Sequence, residues 1–416
     1  MRFGDNRATA CREPRMNPDT GNPGRSPATH RPRIPRTVWT LGLVSLFTDM
    51  GSEIVHSLLP LLLAGTLGAS ALTIGLIEGA AEALVLVTKV FSGYISDALG
   101  KRKPLVLLGY GLAAASKPLF PLADSVAMVT VARLTDRFGK GIRGAPRDAM
   151  VGDLVAPEIR GAAFGLRQSM DTIGAVLGPL LAIALMWHFA DDIRKVLWFA
   201  VLPGVVSVLL LLRVPEPADG PRKPRRLPLT REGLRSLGPA FWRVAALGGW
   251  IGLARFSEAF LVLRASERGV PATWIPSVLV VMSVVYALSA YPAGKLSDAM
   301  PRRRLLAWGM AVLLLADVLL AKANGYALLF AGIALWGLHM GLTQGILASL
   351  VADTAPADYR GTAFGAFNLV SGAALLAASA LAGWLWQAHG PAAAFWCGAA
   401  ISAVSLPLLI LVARGD

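Results

Sequence analysis

The chain has 416 residues, of which 55% are hydrophobic and only 16% are charged. This composition excludes an ordinary soluble globular protein, and long runs of Leu, Ala, Val and Gly exclude a β-barrel, whose strands alternate in polarity. The formal net charge of +14 does not indicate nucleic-acid binding, because the basic residues lie where membrane orientation accounts for them.

The first 36 residues are rich in Arg, Pro and Gly and contain no apolar run. They predict a disordered, basic cytoplasmic tail over 1–36 and not a signal peptide. A start codon assigned too far upstream would explain the same stretch. The two cysteines, Cys11 in this tail and Cys397 near the end, predict neither a disulfide nor a cysteine metal site.

Apolar segments of about 20 residues are long enough to cross a membrane as helices. The sequence predicts an all-α integral membrane protein with twelve such segments, which we label α1 to α12 in chain order. Their predicted ranges are 37–65, 71–97, 104–122, 126–150, 160–190, 194–213, 239–265, 271–298, 303–322, 325–352, 360–388 and 391–414.

Basic residues are concentrated in alternate loops between these segments. Cytoplasmic loops of membrane proteins carry an excess of Lys and Arg, so this pattern predicts a multi-pass membrane protein with both termini cytoplasmic. The basic loops contain Lys101, Arg102 and Lys103, Arg160, the stretch 213–235, Arg302, Arg303 and Arg304, and Arg360.

Two internal repeats have an offset of about 200 residues. "GYISDALGKRK" at 93–103 returns as "GKLSDAMPRRR" at 294–304, and "APEIRGAAFG" at 156–165 returns as "APADYRGTAFG" at 355–365. Repeats at matching places predict two parallel six-helix halves. The predicted halves are 37–213 and 239–414, joined by a cytoplasmic linker over 214–238.

The twelve helices and the repeated G-x-x-x-D-x-x-G-[RK]-[RK]-[RK] loop resemble the major facilitator superfamily of secondary transporters. "DRFGKGIRGAPRDAM" at 136–150 is similar to a prokaryotic branch of that superfamily, which implies a prokaryotic plasma (inner) membrane. The resemblance implies alternating access and a cytoplasmic gate, in which the loop aspartate and basic residues join the two halves. Alternatively, the basic cluster is only a topology signal. The gate residues would be Gly93, Asp97, Gly100, Lys101 and Arg102, and in the second copy Gly294, Asp298 and Arg302, where Pro301 replaces the second glycine.

Charged residues inside the apolar segments are costly, by ~2.5–3.5 kcal/mol each on insertion scales, and therefore indicate function or pairing. A rise of ~1.5 Å per residue places many of them near one level, and the resemblance implies that α1, α4, α7 and α10 line a central cavity. Structural ion pairs would explain part of the set. The candidate substrate and proton residues are Asp49, Glu53, His56, Glu78, Glu82, Arg133, Asp136, Arg137, Lys140, Asp171, Arg255 and Glu258.

Two features have competing explanations. Gly174, Gly178 and Pro179 in α5 loosely match a motif of proton antiporters, but the same spacing is common in helix packing. His56 could titrate near neutral pH, form a structural hydrogen bond, or bind a metal together with His339 and Met340. We expect no resident metal or cofactor.

The sequence thus predicts a proton-coupled secondary carrier of a small polar or charged solute, monomeric, with export slightly favoured. Glu53, Glu82 or Asp171 would carry the proton. Aromatic residues make up only 8% of the chain, which argues against a cavity for greasy cations. A drug/proton antiporter, a metal or metal-chelate transporter, and a transporter-like sensor remain alternatives. An enzyme is not expected, because motifs such as H-E-x-x-H or G-x-S-x-G are missing.

Overall fold

The structure is a computed structural model that describes residues 34–156, 159–216, 229–356 and 359–413. Most of the predicted tail and residues 217–228 of the predicted linker lie outside these ranges. The side chain of Asp298, a predicted gate residue, is also outside the described part.

All twelve predicted segments are helical, with ends within a few residues of those expected. Three of them, α3, α6 and α7, are interrupted, and α1 ends in a π-helical turn over Leu62–Thr66. The segments are α1 Arg36–Thr66, α2 Ala71–Leu99, α3 Lys103–Leu122, α4 Val126–Asp153, α5 Arg160–His188, α6 Ile193–Leu212, α7 Pro239–Glu267, α8 Ser277–Ala299, α9 Arg302–Lys322, α10 Tyr326–Thr354, α11 Arg360–His389 and α12 Pro391–Ala413.

Ten of the described helices are individually long and apolar enough to span a membrane, and α12 adds a shorter apolar run, Pro391–Pro407. The exception is α4, which carries eight charged residues between Arg133 and Asp153. Several of these, including Arg133, Arg137 and Arg143, are buried against neighbouring helices. The charged face of α4 therefore points into the protein.

The helix ends follow from local sequence. Ser70 and Ser125 accept hydrogen bonds from backbone N–H groups in the first turns of α2 and α4, which would otherwise lack partners. Gly100 ends α2 with a φ of 67°, a left-handed conformation that favours glycine. In the second copy Pro301 precedes α9 and follows an extended Met300, so the two turns differ.

The packing of the helices repeats after six. In the first half α1 packs on α5 and α6, and α4 packs on α2 and α3; in the second half α7 packs on α11 and α12, and α10 packs on α8 and α9. Contacts between the halves are made mainly by α2 with α11 and by α5 with α8. These interfaces surround the place where α1, α4, α7 and α10 can form a central site.

The predicted linker contains a short helix, Arg231–Ser236, that the sequence analysis did not anticipate. Thr230 caps it by accepting a hydrogen bond from the Gly233 N–H at 3.1 Å. The helix packs against the start of α11, and Leu237 joins a hydrophobic cluster with Phe241 of α7. The helical part of the linker therefore packs against the second half.

The glycines of α5 lie where this helix crosses α1. A Cβ at Gly174 would come within 2.5 Å of the Leu46 carbonyl oxygen, and one at Gly178 within 2.6 Å of the Met50 carbonyl oxygen. Gly174 and Gly178 therefore permit close helix packing, which was the alternative to an antiporter motif. Their role in antiport stays a prediction.

We expect Gly174→Val to destabilise the protein by about 1–3 kcal/mol or more, because the new side chain overpacks the α1–α5 interface. Gly165→Val, on the same helix with no atom within 4 Å of the added Cβ, is the matched control and should be close to neutral. Thermal unfolding of both purified variants in detergent measures the difference. Equal melting temperatures for the two variants would contradict the close crossing.

Candidate functional site

At the centre of the molecule α7 is interrupted, where the sequence predicts a continuous helix. The predicted continuous helix over 239–265 is wrong at this point, because α7 consists of Pro239–Ala254 and Ala259–Glu267 with non-helical backbone between them. The Ser257 N–H donates to the Ser379 hydroxyl of α11 at 3.1 Å, and the Ala259 N–H donates to the Ser257 hydroxyl at 3.3 Å. These hydroxyls satisfy N–H groups that the break leaves without helical partners.

Two adjoining cavities lie beside this break, between the halves. Their volumes are about 360 and 210 Å³, and both are lined by Glu53, Lys140, Glu258 and Met340. The larger cavity is also lined by Asp49, Lys89, Arg143, Arg147, Gln168, Asp171, Met282 and Tyr286, and the smaller one by His56, Glu82, Arg137, Arg255, Phe256, Trp336, Gln344 and Leu375.

Three of the predicted cavity residues instead belong to buried ion pairs behind the cavities. Arg133 donates to Glu78 at 2.6 Å, and both are almost completely buried. Asp136 accepts from Lys117 at 2.8 Å, and Lys117 also donates to the Ser52 hydroxyl at 3.0 Å. Glu78, Arg133 and Asp136 line neither cavity, so this part of the site prediction is corrected. Helical spacing had identified their common face but not their partners.

His56 connects the smaller cavity to this buried network. Its Nδ1 atom lies 3.3 Å from a Glu53 carboxylate oxygen, and its Nε2 atom lies 3.8 Å from a Glu78 carboxylate oxygen. The metal alternative allowed His339 as a further ligand, but the Nδ1 atom of His339 is hydrogen-bonded to the Gly309 carbonyl at 2.8 Å, and His339 lines neither cavity. The geometry therefore favours a hydrogen-bonded or proton-exchanging histidine.

A second charged cluster lies nearer the end of the bundle that carries the repeated motif loops, which we call the motif side. Arg167 donates to Asp171 at 2.5 Å, Arg147 donates to the Ser45 hydroxyl at 3.1 Å, and an Arg143 nitrogen lies 3.9 Å from Asp49. The predicted charges thus do not form one level. They extend along the bundle from the Arg133–Glu78 pair, which lies nearer the end opposite the motif side, to this second cluster.

The sequence analysis missed four charged residues of these clusters: Lys117, Arg143 and Arg147, which contribute cations, and Asp148, which lies within 4 Å of Arg147 and Arg167. A signal was available, because Lys117 interrupts an apolar run and the other three lie inside the predicted α4. Arg143 also stacks on the Tyr110 ring at 4.5 Å, where an Arg–aromatic contact compensates for burial.

Most carboxylates of the cavities lie close to a basic partner. Glu53 lies near His56, and Glu82 lies 3.3 Å from Arg137. Within the described part of the chain, four charged side chains line the cavities without an ion pair or a hydrogen bond: Lys89, Lys140, Arg255 and Glu258. Arg255 and Glu258 flank the break in α7.

The repeated motif forms matching ion pairs in the two halves. Arg102 donates to Asp97 at 2.8 Å and to Asp153 at 2.6 Å, and 200 residues later Arg302 pairs with Asp353. Burial lowers the pKa of Arg102, but the hydrogen bonds to Asp153 and Asp97 outweigh this and raise it above its usual value. These partners of Arg102 lie within the first half, so the predicted latch between the halves stays a prediction.

We expect Arg102→Gln to lower the free energy of unfolding by roughly 1–2 kcal/mol, because two charge-assisted hydrogen bonds at a partly exposed site are lost. Lys101→Gln changes the neighbouring exposed charge of the same loop and should have little effect. Thermal unfolding of the two variants compares them directly. A larger effect of Lys101→Gln would contradict the assigned contacts.

Comparison with known proteins agrees with this architecture. The family model described as Major Facilitator Superfamily matches residues 41–277 and 259–416. The chain belongs to the Major Facilitator Superfamily. It is 31% identical over 386 residues to an uncharacterized MFS-type transporter of Methanocaldococcus jannaschii, which covers 91% of this chain and 95% of that protein.

Two further proteins show the range of its similarity. Multidrug resistance protein MdtH of Cronobacter sakazakii is 28% identical over 359 residues, covering 83% of this chain and 85% of MdtH. The crystal structure of a POT family transporter in complex with 5-aminolevulinic acid has a TM-score of 0.75 at 14% identity, covering 91% and 96% of the two chains. This structural likeness concerns the fold alone.

Membership in the Major Facilitator Superfamily confirms the fold class predicted from sequence, with two six-helix halves. It also makes the chain a multi-pass membrane transporter of small molecules and not an enzyme.

Proposed function

We propose that the protein is a proton-coupled secondary carrier that moves a small polar or charged solute by alternating access. The solute binds in the two cavities beside the break in α7, and the halves rock about this site. The motif side faces the cytoplasm of a prokaryotic cell, with both termini cytoplasmic and the carrier acting as a monomer.

The position of Glu258 is the observation that carries this proposal. Its carboxylate lines both cavities at an interrupted helix, and within the described residues it has no cation at ion-pair distance. A carboxylate in this position can gain or lose a proton without breaking an ion pair, and its charge acts directly on a solute in the cavity. Interrupted helices at the interface of repeats are typical of solute and ion sites in secondary transporters.

The three carboxylates that the sequence predicts as proton carriers each lie closer to a basic side chain than Glu258 does. Glu53 lies near His56, Glu82 lies near Arg137, and Asp171 accepts from Arg167. Protonation of any of them would weaken an existing interaction. We therefore assign the coupling proton to Glu258, with the Glu53–His56 pair as the adjoining acceptor on the first half.

Contacts on the end opposite the motif side support alternating access. There the Thr273 hydroxyl, before α8, donates to Asp191, after α5, at 2.6 Å, which joins the two halves. The outer segment of α7, Ala259–Glu267, also packs against α1 and α2. The larger cavity extends in the other direction, to Lys89, Arg147 and Asp171. We assign this conformation to the state closed on the outer side.

A drug/proton antiporter is the second candidate, because one relative is named a multidrug resistance protein. Both candidates predict that solute movement and proton movement depend on each other. They differ in the breadth of solutes accepted, which a solute screen measures.

The test is uptake into proteoliposomes under an imposed pH gradient, screened against drugs, divalent metals, metal chelates and organic anions. We expect at least one class to accumulate with the pH gradient and to lose its accumulation when a protonophore is added. Protein-free liposomes are the control. If no solute moves and solute addition never changes the internal pH, the proposal is wrong.

A further inference from the structure

The two walls of the smaller cavity differ in chemistry. The first half contributes Glu53, His56, Glu82, Arg137 and Lys140, whereas the second half contributes four apolar side chains together with Arg255, Ser257, Glu258 and Gln344. Those apolar side chains are Phe256, Trp336, Met340 and Leu375. A solute in this cavity therefore meets a charged wall on the first half, and on the second half an apolar patch beside Arg255 and Glu258.

The internal repeat shows how this difference arises. At an offset of 200 residues, Asp136 corresponds to Trp336, Arg137 to Gly337 and Lys140 to Met340. At these three positions α10 carries an apolar residue or glycine where α4 carries a charged side chain. Trp336 is fully buried, and its ring contacts the Phe256 ring beside the break in α7, with centroids 5.2 Å apart.

The charges left after ion pairing are mainly positive. Of the four cavity side chains without an ion pair or hydrogen bond in the described part of the chain, three are cations and one is a carboxylate. Two of the cations, Lys140 of α4 and Arg255 of α7, line the same cavity of about 210 Å³ from opposite halves. In the described part of the chain neither cation has a carboxylate within ion-pair distance, so a bound anion would give both a partner at short range.

We propose that the solute is a small organic anion with an apolar body. Its carboxylate, or an anionic group of similar charge, binds between Lys140 and Arg255, and its apolar part packs against Phe256, Trp336 and Met340. This inference rests on the proposed function and names the solute class of the same site. Because Lys140 and Arg255 belong to different halves, one anionic group bound to both draws the halves together.

Binding to the purified full-length chain tests the charge of the solute directly. The probes are phenylacetate, its neutral analogue phenylacetamide and its cationic analogue phenethylamine, together with a panel of other aryl and alkyl monocarboxylates. We expect anions of the panel to raise the melting temperature in a concentration-dependent way and to bind at least about tenfold more tightly than their amide and amine analogues, as charge-assisted hydrogen bonds require.

Variants identify the binding groups. Lys140→Gln and Arg255→Gln should each raise the dissociation constant of the anion about tenfold or more, and Lys140→Arg should restore much of the loss because it keeps the charge. Lys195→Gln, which removes an exposed lysine paired with Asp192 outside the cavities, should bind like the unaltered protein. Lys140→Arg also provides a folded comparison if the glutamine variants are unstable.

Three outcomes would overturn the proposal: no anion of the panel binds up to millimolar concentration, the neutral analogues bind equally well, or the amine binds best. Proton flux in proteoliposomes separates this inference from the proposed function. If a cation is transported with protons, the proposed proton-coupled carrier is supported and the assignment of the solute as an anion is wrong. If an anion binds and moves without protons, the anion assignment stands and the coupling falls.

Discussion

Replacing Arg133 with leucine is expected to destabilise the folded protein by about 3–5 kcal/mol, because Glu78 would keep its charge in the interior without its hydrogen-bonded cation. Arg133 is fully buried and donates to Glu78 at 2.6 Å. The nearest remaining basic group would be His56, whose Nε2 atom lies 3.8 Å from Glu78. Thermal or denaturant unfolding in detergent measures the loss.

The double variant Arg133→Leu/Glu78→Leu shows whether the single variant is destabilised by the unpaired charge of Glu78 or by the loss of the arginine side chain itself. An apolar pair of similar volume removes both charges, so it should recover most of the stability lost in the single variant. A loss below about 1 kcal/mol in Arg133→Leu would mean that the pair is solvated, and the buried network behind the cavity would then be wrong.

Glu258→Gln is expected to abolish proton-coupled accumulation while leaving exchange of solute across the membrane. Glutamine has nearly the same shape as a protonated glutamate but cannot release a proton, so the halves can still alternate around a bound solute. In proteoliposomes, pH-driven accumulation should fall to the level of protein-free liposomes, and counterflow of labelled solute should persist.

Asp124→Asn is the control for this experiment, because Asp124 is an exposed carboxylate in the loop between α3 and α4. It should change neither accumulation nor counterflow. Normal accumulation in Glu258→Gln would remove this residue from the proton path. The Glu53–His56 pair would then be the next group to change.

Much of the fold follows from the sequence because its signals are local or repeated. Apolar runs define the helices other than α4, whose inner face is charged, and the 200-residue offset defines the two halves. The offset also contained more information than was used, since Asp153 and Asp353 occupy equivalent positions and pair with Arg102 and Arg302. The predicted residues Glu53, Lys140 and Glu258 do meet at the centre.

The rest of the site depends on contacts between distant parts of the chain. Gly248, Gly249 and Gly252 precede the break in α7 but do not define where it falls, and the Ser257 backbone is held there by Ser379, which is 122 residues away. The burial of these side chains could not be predicted either, because a polar stripe on a helix does not show whether its side chains face solvent or a buried partner. For this reason Glu78 and Arg133 were predicted to bind solute, although each is enclosed by its partner.

The central claim is that proton and solute movement are coupled at one site. The most direct test is the balance point of transport, which is the solute gradient at which net flux stops. Proteoliposomes are given opposing gradients of solute and of pH, with the membrane potential held at zero, and the solute gradient that stops net flux is measured. Coupling to one or more protons predicts that this solute gradient changes by at least about tenfold for each pH unit. A balance point that does not depend on pH would contradict the account.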